Sequence, residues 1–333
     1  MLTETEERIY AGPWKEFCKE INQVPLLHGP AHSNLIGDWD ALVGVLASKL
    51  TFPAPDTSVT TQDIHPNSNY WIRVYTPPNA PKDALVTMYI HGGGWAMGSV
   101  DAEDAIPRII AKACSSIVVS VEYRLAPAHV WPAAHEDCYE ATKYCIEHAG
   151  EWGADPKRGI VISGASAGGN LAISTALRLA DEGLGSRVAG VVAMVPVTVH
   201  PDAVPEDLKA NYTSYDEHAN HTVNTKDAME AFFNIYNGPK DNKYLSPLLH
   251  PGLKSLRRVY ITESGTDTLR DDARLMKGAL ESSGVQVRYD AYPGYPHYSW
   301  TFPSQHLAGH AQDFFGKLAS GIIWASESDS AKS

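Results

Sequence analysis

Cysteine is scarce: the 333 residues contain four, Cys18, Cys114, Cys138 and Cys145, with no Cys-x-x-Cys pair. That leaves no disulfide framework and no cysteine zinc site, and fits free thiols in a reducing compartment. The sequons at Asn211 and Asn220 are expected to go unused there. Positive charge is also short. Lys plus Arg number 27 against 39 Asp plus Glu, a formal net charge of −12, so neither a nucleic-acid backbone nor an anionic bilayer is expected as a partner.

Long apolar runs are missing too. The longest mostly apolar stretch, Val188 to Val199, is too short to span a bilayer and reads as a buried strand. The opening Met-Leu-Thr-Glu-Thr-Glu-Glu-Arg lacks the basic start and apolar core of a signal peptide, and the closing Ala-Lys-Ser does not match the peroxisomal Ser-Lys-Leu address. The expected location is cytoplasmic. No internal repeat or low-complexity tract occurs, and neither phosphate-binding glycine pattern, Gly-x-x-x-x-Gly-Lys-[Ser/Thr] or Gly-x-Gly-x-x-Gly, is present.

What is there has the balance of a soluble globular chain, 44% hydrophobic and 20% charged, long enough for one large α/β domain with insertions or two small domains. Pro13 opens a helix whose Trp14, Phe17, Cys18 and Ile21 share a face. Trp39, Leu42, Val43, Leu46 and Leu50 give a second stripe, closed by Pro53 and Pro55. From Thr57 the period changes. Ser58 to Ile64 and Tyr70 to Tyr75 form a hairpin, followed by strands Ala84 to Ile90 and Ser116 to Val121, with a helix between them that Asp101 is placed to cap. A helix over Ala134 to His148 leads into alternating strands and helices: a strand carrying the β-branched run Ile160, Val161 and Ile162, its helix, strands Ala189 to Val195 and Arg258 to Glu263, helix Leu269 to Ser283, strand Val285 to Tyr292, and a last helix from about Gln305. Such alternation predicts a mostly parallel sheet covered on both faces. Residues 198–250 break the rhythm. They carry one helix-like stretch, Lys226 to Tyr236, with Met229, Phe232, Phe233 and Tyr236 on one side, and an insertion of that length is typically a functional lid.

Three places carry chemistry. Gly164-Ala-Ser166-Ala-Gly168 lies between a β-branched strand and a helix, and a nucleophile held on a tight strand-to-helix turn needs glycines where backbones press together. His91-Gly92-Gly93-Gly94-Trp95 follows another strand, and bare glycine amides can donate to a developing oxyanion. A serine nucleophile needs a base and an orienting acid, in the chain order Ser, acid, His for this kind of sheet. Asp267, just after a strand, and His297, in a turn-rich loop after the last strand, meet that order. Asp267 is equally well placed as the N-cap of the following helix, and a loop histidine can be a plain surface residue. His306 and His310, four apart, and His218 and His221, three apart, lack the third ligand or glutamate of a zinc motif, so no metal and no cofactor are expected.

Taken together, these motifs resemble the hormone-sensitive-lipase-like esterases of the α/β-hydrolase superfamily. His91-Gly-Gly-Gly-Trp95, Glu122-Tyr-Arg-Leu-Ala-Pro127, Trp131-Pro-Ala-Ala134 with Asp137, Gly-Ala-Asp-Pro at 153–156, the Ser166 motif, Asp267-Thr-Leu-Arg-Asp271 and Pro296-His-Tyr298 follow the family's order. The resemblance implies an α/β-hydrolase fold with a mostly parallel eight-stranded sheet, helices on both faces and a helical cap. That cap would be built from residues 1–50 and the insertion at about 198–250, over a catalytic domain at 51–333. It further implies a Ser166, His297, Asp267 triad and an oxyanion hole from the amides of Gly93, Gly94 and Ala167. Trp95, Tyr123, Tyr295 and Tyr298 flank these motifs as candidate walls of the substrate pocket. Three positions depart from the family's pattern: Ala165 stands where an acid is frequent, Glu122 where Asp is usual and Thr268 where Pro is usual, the last leaving Asp271 as a backup acid. The implied activity is hydrolysis of carboxylic esters with short to medium acyl groups, or of small-molecule acetates, through an acyl-enzyme. Acyl transfer, lactone or amide chemistry is the alternative, and a non-catalytic ligand receptor a more remote one. The expected partner is a small-molecule ester, with a homodimer left open.

Overall fold

The structure, a computed structural model, describes residues 2–155 and 157–327. Pro156 of the Gly-Ala-Asp-Pro motif and the closing Ala-Lys-Ser lie outside them.

Eight strands make one sheet: β1 (Thr60–Ile64), β2 (Trp71–Thr76), β3 (Val86–Ile90), β4 (Ile117–Glu122), β5 (Ile160–Ala165), β6 (Val188–Met194), β7 (Arg258–Ser264) and β8 (Gln286–Tyr292). Their spatial order is β1-β2-β4-β3-β5-β6-β7-β8. The β1/β2 and β2/β4 pairs are antiparallel, and every later pair is parallel. The sequence explains this order of burial. β3, β5 and β6 are mostly apolar and buried at every position, as central parallel strands must be, whereas the polar Thr60–Ile64 edge is largely exposed. The α/β-hydrolase architecture is therefore present, with its sheet mostly parallel as the alternation predicts.

Helices α1 (Glu4–Ile9), α2 (Gly12–Ile21) and α3 (His32–Lys49) precede the sheet; α4 (Ala105–Cys114), α5 (Ala133–His148) and α6 (Ala167–Asp181) connect its first strands. Then come α7 (Ser214–Glu217) and α8 (Lys226–Tyr236) within the insertion, and α9 (Arg270–Ser282) and α10 (Ala308–Ser326). The predicted faces of α2 and α8 are buried in full. Thr225 caps α8 by accepting from the Ala228 amide at 3.2 Å, and Asn237 ends it in the left-handed conformation. Two expectations need correction. α4 starts at Ala105 rather than after Asp101, because Asp101 is drawn to the Arg73 guanidinium at 2.7 Å instead of to a helix terminus. On α3, Val43 points outward while Leu35 joins Leu42 and Leu46 in the core.

The N-terminal helices and the insertion meet each other. Leu27 pairs with Asn224 in an isolated parallel bridge, its amide donating to the Val223 carbonyl at 2.8 Å, and the Tyr10 hydroxyl donates to the His221 carbonyl at 2.7 Å. The same N-terminal helices rest on the segment after β8. Trp14 and Phe17 pack on Phe302, and the Ala11 amide donates to the Gly294 carbonyl.

Candidate active site

Ser166 sits between β5 and α6 at φ 57°, ψ −120°, a backbone conformation that L residues rarely adopt and that costs on the order of 1–3 kcal/mol. Flanking contacts hold it there. Its amide donates to the Met194 carbonyl at 2.9 Å, extending the β5/β6 ladder by one residue, and its carbonyl accepts from Val197 and Asn170. The turn depends on Gly168: a Cβ there would lie 2.1 Å from the Ile90 carbonyl oxygen and 2.6 Å from that of His91. Only a glycine lets the first turn of α6 lie against the end of β3. Ala165 ends β5 fully buried, so no acidic side chain stands at that departure from the family's pattern.

That contact sets the His91-Gly-Gly-Gly loop beside Ser166. Gly93 and Gly94 both have positive φ, at 107° and 59°. The Gly92 amide is already committed, donating to Glu103 Oε1 at 3.1 Å, which leaves the next two amides for another acceptor. The Ala167 amide opens α6 and has no acceptor within the helix. His91 is buried, stacked on Tyr123 with ring centroids 4.2 Å apart, and bonds the Gly92 carbonyl through Nδ1 at 2.8 Å. Burial lowers its pKa to about 4, so it is a neutral structural ring.

Asp267 and His297 come together although 30 positions separate them. Asp267 Oδ2 and His297 Nδ1 are 2.6 Å apart, with Asp267 fully buried and His297 4% exposed. Asp267 is not the N-cap of the following helix, which opens at Arg270 with Leu269 at the cap position; its Oδ1 instead accepts the Leu269 amide at 3.0 Å in the turn just before α9. One carboxylate oxygen thus holds the turn before α9 and the other meets the imidazole. Asp271 is elsewhere, accepting the amides of Thr213 and Ser214, each at 2.8 Å, and pairing with Arg270. The Thr268 hydroxyl donates to the Asn224 carbonyl at 2.9 Å, so this departure adds a tie to the insertion.

The four flanking aromatics are all held by protein. Trp95 is buried and stacks on Tyr236 at 4.9 Å; Tyr123 donates to the His91 carbonyl at 3.0 Å; Tyr295 stacks on His310 at 3.7 Å. Tyr298 lies beside His297 and donates to Glu103 at 3.1 Å. The other histidine pairs are spent as well. His218 Nε2 faces the Arg270 guanidinium at 3.1 Å and His310 bonds Ser299 at 2.8 Å. Among the described residues no group of three or more His, Cys, Asp or Glu is arranged for a metal, and no helix is long and apolar enough to cross a membrane.

Ser166 is only 6% exposed. A cavity of about 390 Å³ opens beside α8, lined by His200, Tyr212, Tyr215, Lys226, Phe233 and Lys240 among others. Phe233 also packs on Trp95, next to the glycine loop. Three residues at the site carry no motif in the sequence: Tyr215 in the cavity wall, Thr222, whose hydroxyl accepts the His297 amide at 3.1 Å, and Glu103 beneath Gly92 and Tyr298. The first two lie in an insertion without a recognisable motif, and Glu103 belongs to a helix approach that looks like ordinary solvated surface.

Comparison with known proteins agrees with this arrangement. Residues 87–301 match the family model for the alpha/beta hydrolase fold. The chain is 48% identical over 320 residues to a versiconal hemiacetal acetate esterase of Aspergillus parasiticus, covering 96% of this chain and 100% of that one. It is 47% identical over 291 residues to a versiconal hemiacetal acetate esterase of Emericella nidulans, covering 87% and 99%. Among solved structures, a vibralactone cyclase superposes with a TM-score of 0.84 at 28% identity, covering 96% of this chain and 95% of that one. The chain belongs to the hormone-sensitive-lipase-like esterases of the α/β-hydrolase family and is a carboxylic ester hydrolase.

Proposed function

We propose that the protein is a serine esterase that removes the acyl group, an acetyl group in the first instance, from a small-molecule ester. The buried 2.6 Å bond between His297 and Asp267, in one fold with a strained Ser166 turn, carries this reading. His297 Nε2 takes the Ser166 Oγ proton as Oγ attacks the ester carbonyl. Asp267 keeps the Nδ1 proton in place and stabilises the imidazolium that forms. The amides of Gly93, Gly94 and Ala167 receive the tetrahedral oxyanion. The alcohol leaves with the proton from His297, and water, activated by the same imidazole, releases the acid and restores Ser166. The versiconal hemiacetal acetate esterases at 47–48% identity support an acetate of that kind as the substrate class.

Residues 1–50 and about 198–250 act in this reading as a cap over a catalytic domain at 51–333, supported by the Leu27–Asn224 bridge and the cavity beside α8. Tyr298 borders the reacting ester, while Trp95, fully buried against Tyr236 and Phe233, and Tyr123 and Tyr295 shape the loops behind it. Free thiols support a cytoplasmic location. Turnover of p-nitrophenyl acetate and butyrate by the native chain, abolished in Ser166→Ala, is the expected result; undiminished activity in that variant contradicts it.

Likeness to a protein named as a cyclase favours one second reading, in which the acyl group on Ser166 passes to a hydroxyl rather than to water. Adding an alcohol during turnover separates the two: ester product at the expense of acid marks transfer.

A further inference from the structure

Glu103 has no part in the chemistry described, yet its carboxylate is the meeting point of two loops that do. Oε1 accepts the Gly92 amide at 3.1 Å and the Tyr298 hydroxyl at 3.1 Å. Oε2 accepts the hydroxyl of Tyr89, a fully buried residue of β3. The geometry around Gly92 is equally tight. A Cβ on Gly92 would lie 2.0 Å from the Tyr298 hydroxyl and 3.0 Å from the Ala165 carbonyl oxygen. Residues adjoining Ser166, the oxyanion amides and His297 therefore converge at one point, and Glu103 bonds two of the three directly. Desolvation raises the Glu103 pKa against the opposing pull of its donors, so its enclosure has an energetic cost that loop anchoring offsets.

We propose that Glu103 is a positioning residue for ester hydrolysis: it clamps the oxyanion loop at Gly92 and, through Tyr298, fixes that loop relative to the segment bearing His297. The proposal rests on the serine-esterase reading above. Its consequence is specific. Commitment of the Gly92 amide to Glu103 sets the peptide planes that follow, and these aim the Gly93 and Gly94 amides at the position where negative charge develops. Tyr298, immediately after His297, transmits the same anchor to the base. Losing the clamp lets donors and base drift relative to each other. A misplacement of about 1 Å costs on the order of 100-fold in rate without removing any reacting group.

The test uses the full chain as Glu103→Ala, Glu103→Gln and Tyr298→Phe. Rates on p-nitrophenyl acetate are divided by the active sites titrated to completion with a p-nitrophenyl phosphonate. Glu103→Ala is expected to lower kcat about 10- to 100-fold with KM within about threefold, the signature of lost transition-state stabilisation. Glu103→Gln keeps an oxygen acceptor for Gly92 and Tyr298 and is expected to recover most of that loss. Tyr298→Phe cuts one tie and is expected to lower kcat about three- to tenfold. Native kcat per titrated site in Glu103→Ala, or an equal loss in the Ala and Gln variants, overturns the proposal. Should Glu103→Ala fail to fold, Tyr298→Phe decides, native kcat overturning it. Failure of the phosphonate to label Ser166 in the native chain contradicts the underlying esterase reading instead, so the two failures are distinct.

Discussion

The backbone amide of His297 donates to the hydroxyl of Thr222 at 3.1 Å, joining the loop after β8 to the insertion. Thr222 in turn donates to Asn224 Oδ1 at 2.9 Å, and Asn224 pairs with Leu27 of the N-terminal segment. The proposed base is thus anchored to both parts of the proposed cap. Thr222→Val keeps the shape and removes the acceptor. Leaving a buried amide unmatched costs about 1–3 kcal/mol. A lower melting temperature together with a several-fold lower kcat is the expected outcome; unchanged melting and kinetics would show that the tie does not matter.

Asp267 and Asp271 differ in what they hold, and isosteric replacement separates them. Asp267→Asn disturbs the tautomer and orientation of His297 and is expected to lower kcat on the order of 10⁴-fold. Asp271→Asn is expected to keep kcat within about threefold while losing about 1–3 kcal/mol of stability, since Asp271 serves the Thr213 and Ser214 amides and Arg270. Steady-state kinetics with chemical denaturation of both variants checks this, and a larger kcat loss in Asp271→Asn would reverse the assignment.

Most of the sheet and the Ser166 turn are legible in the motifs because each is a local backbone demand. Glycines at 164 and 168 are needed for contacts that a Cβ forbids, and β-branched runs sit where both faces are covered. The Lys226–Tyr236 helix was legible to the residue because its cap, stripe and terminating Asn237 agree. α1 was also legible: Thr3 and Glu6 form a capping box, a signal the sequence reading passed over. Other features depend on distant partners. Asp101 leaves its expected cap for Arg73, and Glu103 gains its role only when β3 and the His297 loop surround it. The ties at Thr222 and Thr268 join segments whose pairing no periodicity reveals.

Stability should respond to acid through buried imidazoles. Burial lowers the pKa of His91 to about 4, His135 to about 3 and His310 to about 4, from an ordinary 6.5. The unfolded chain then binds protons first, so the stability these rings contribute is complete above about pH 6.5 and is lost as pH falls toward 4. Asp272 acts in the opposite sense. Burial raises it to about 7 from 3.8, so the native state holds an extra proton between those values and its contribution falls as pH rises through them. Denaturant melts from pH 4 to 8 should show a net loss on the acid side. Asp272→Asn should gain stability relative to the native chain between pH 5 and 8; a constant difference would contradict the Asp272 assignment.

Gly168→Ala places a methyl carbon 2.1 Å from a backbone oxygen that cannot move without shifting β3. Loss of most activity and a marked drop in soluble yield are expected, whereas Gly309→Ala on α10, where a Cβ meets nothing within 4 Å, should be neutral or slightly stabilising. Expression and melting of the pair read this out.

The most direct test of the account is the identity of the residue that carries the acyl group. Rapid acid quench during p-nitrophenyl acetate turnover, followed by peptide mass spectrometry, should find one acetyl increment on the peptide containing Ser166 and none in Ser166→Ala. Turnover with no acyl increment on Ser166, or with the increment on another residue, would contradict it.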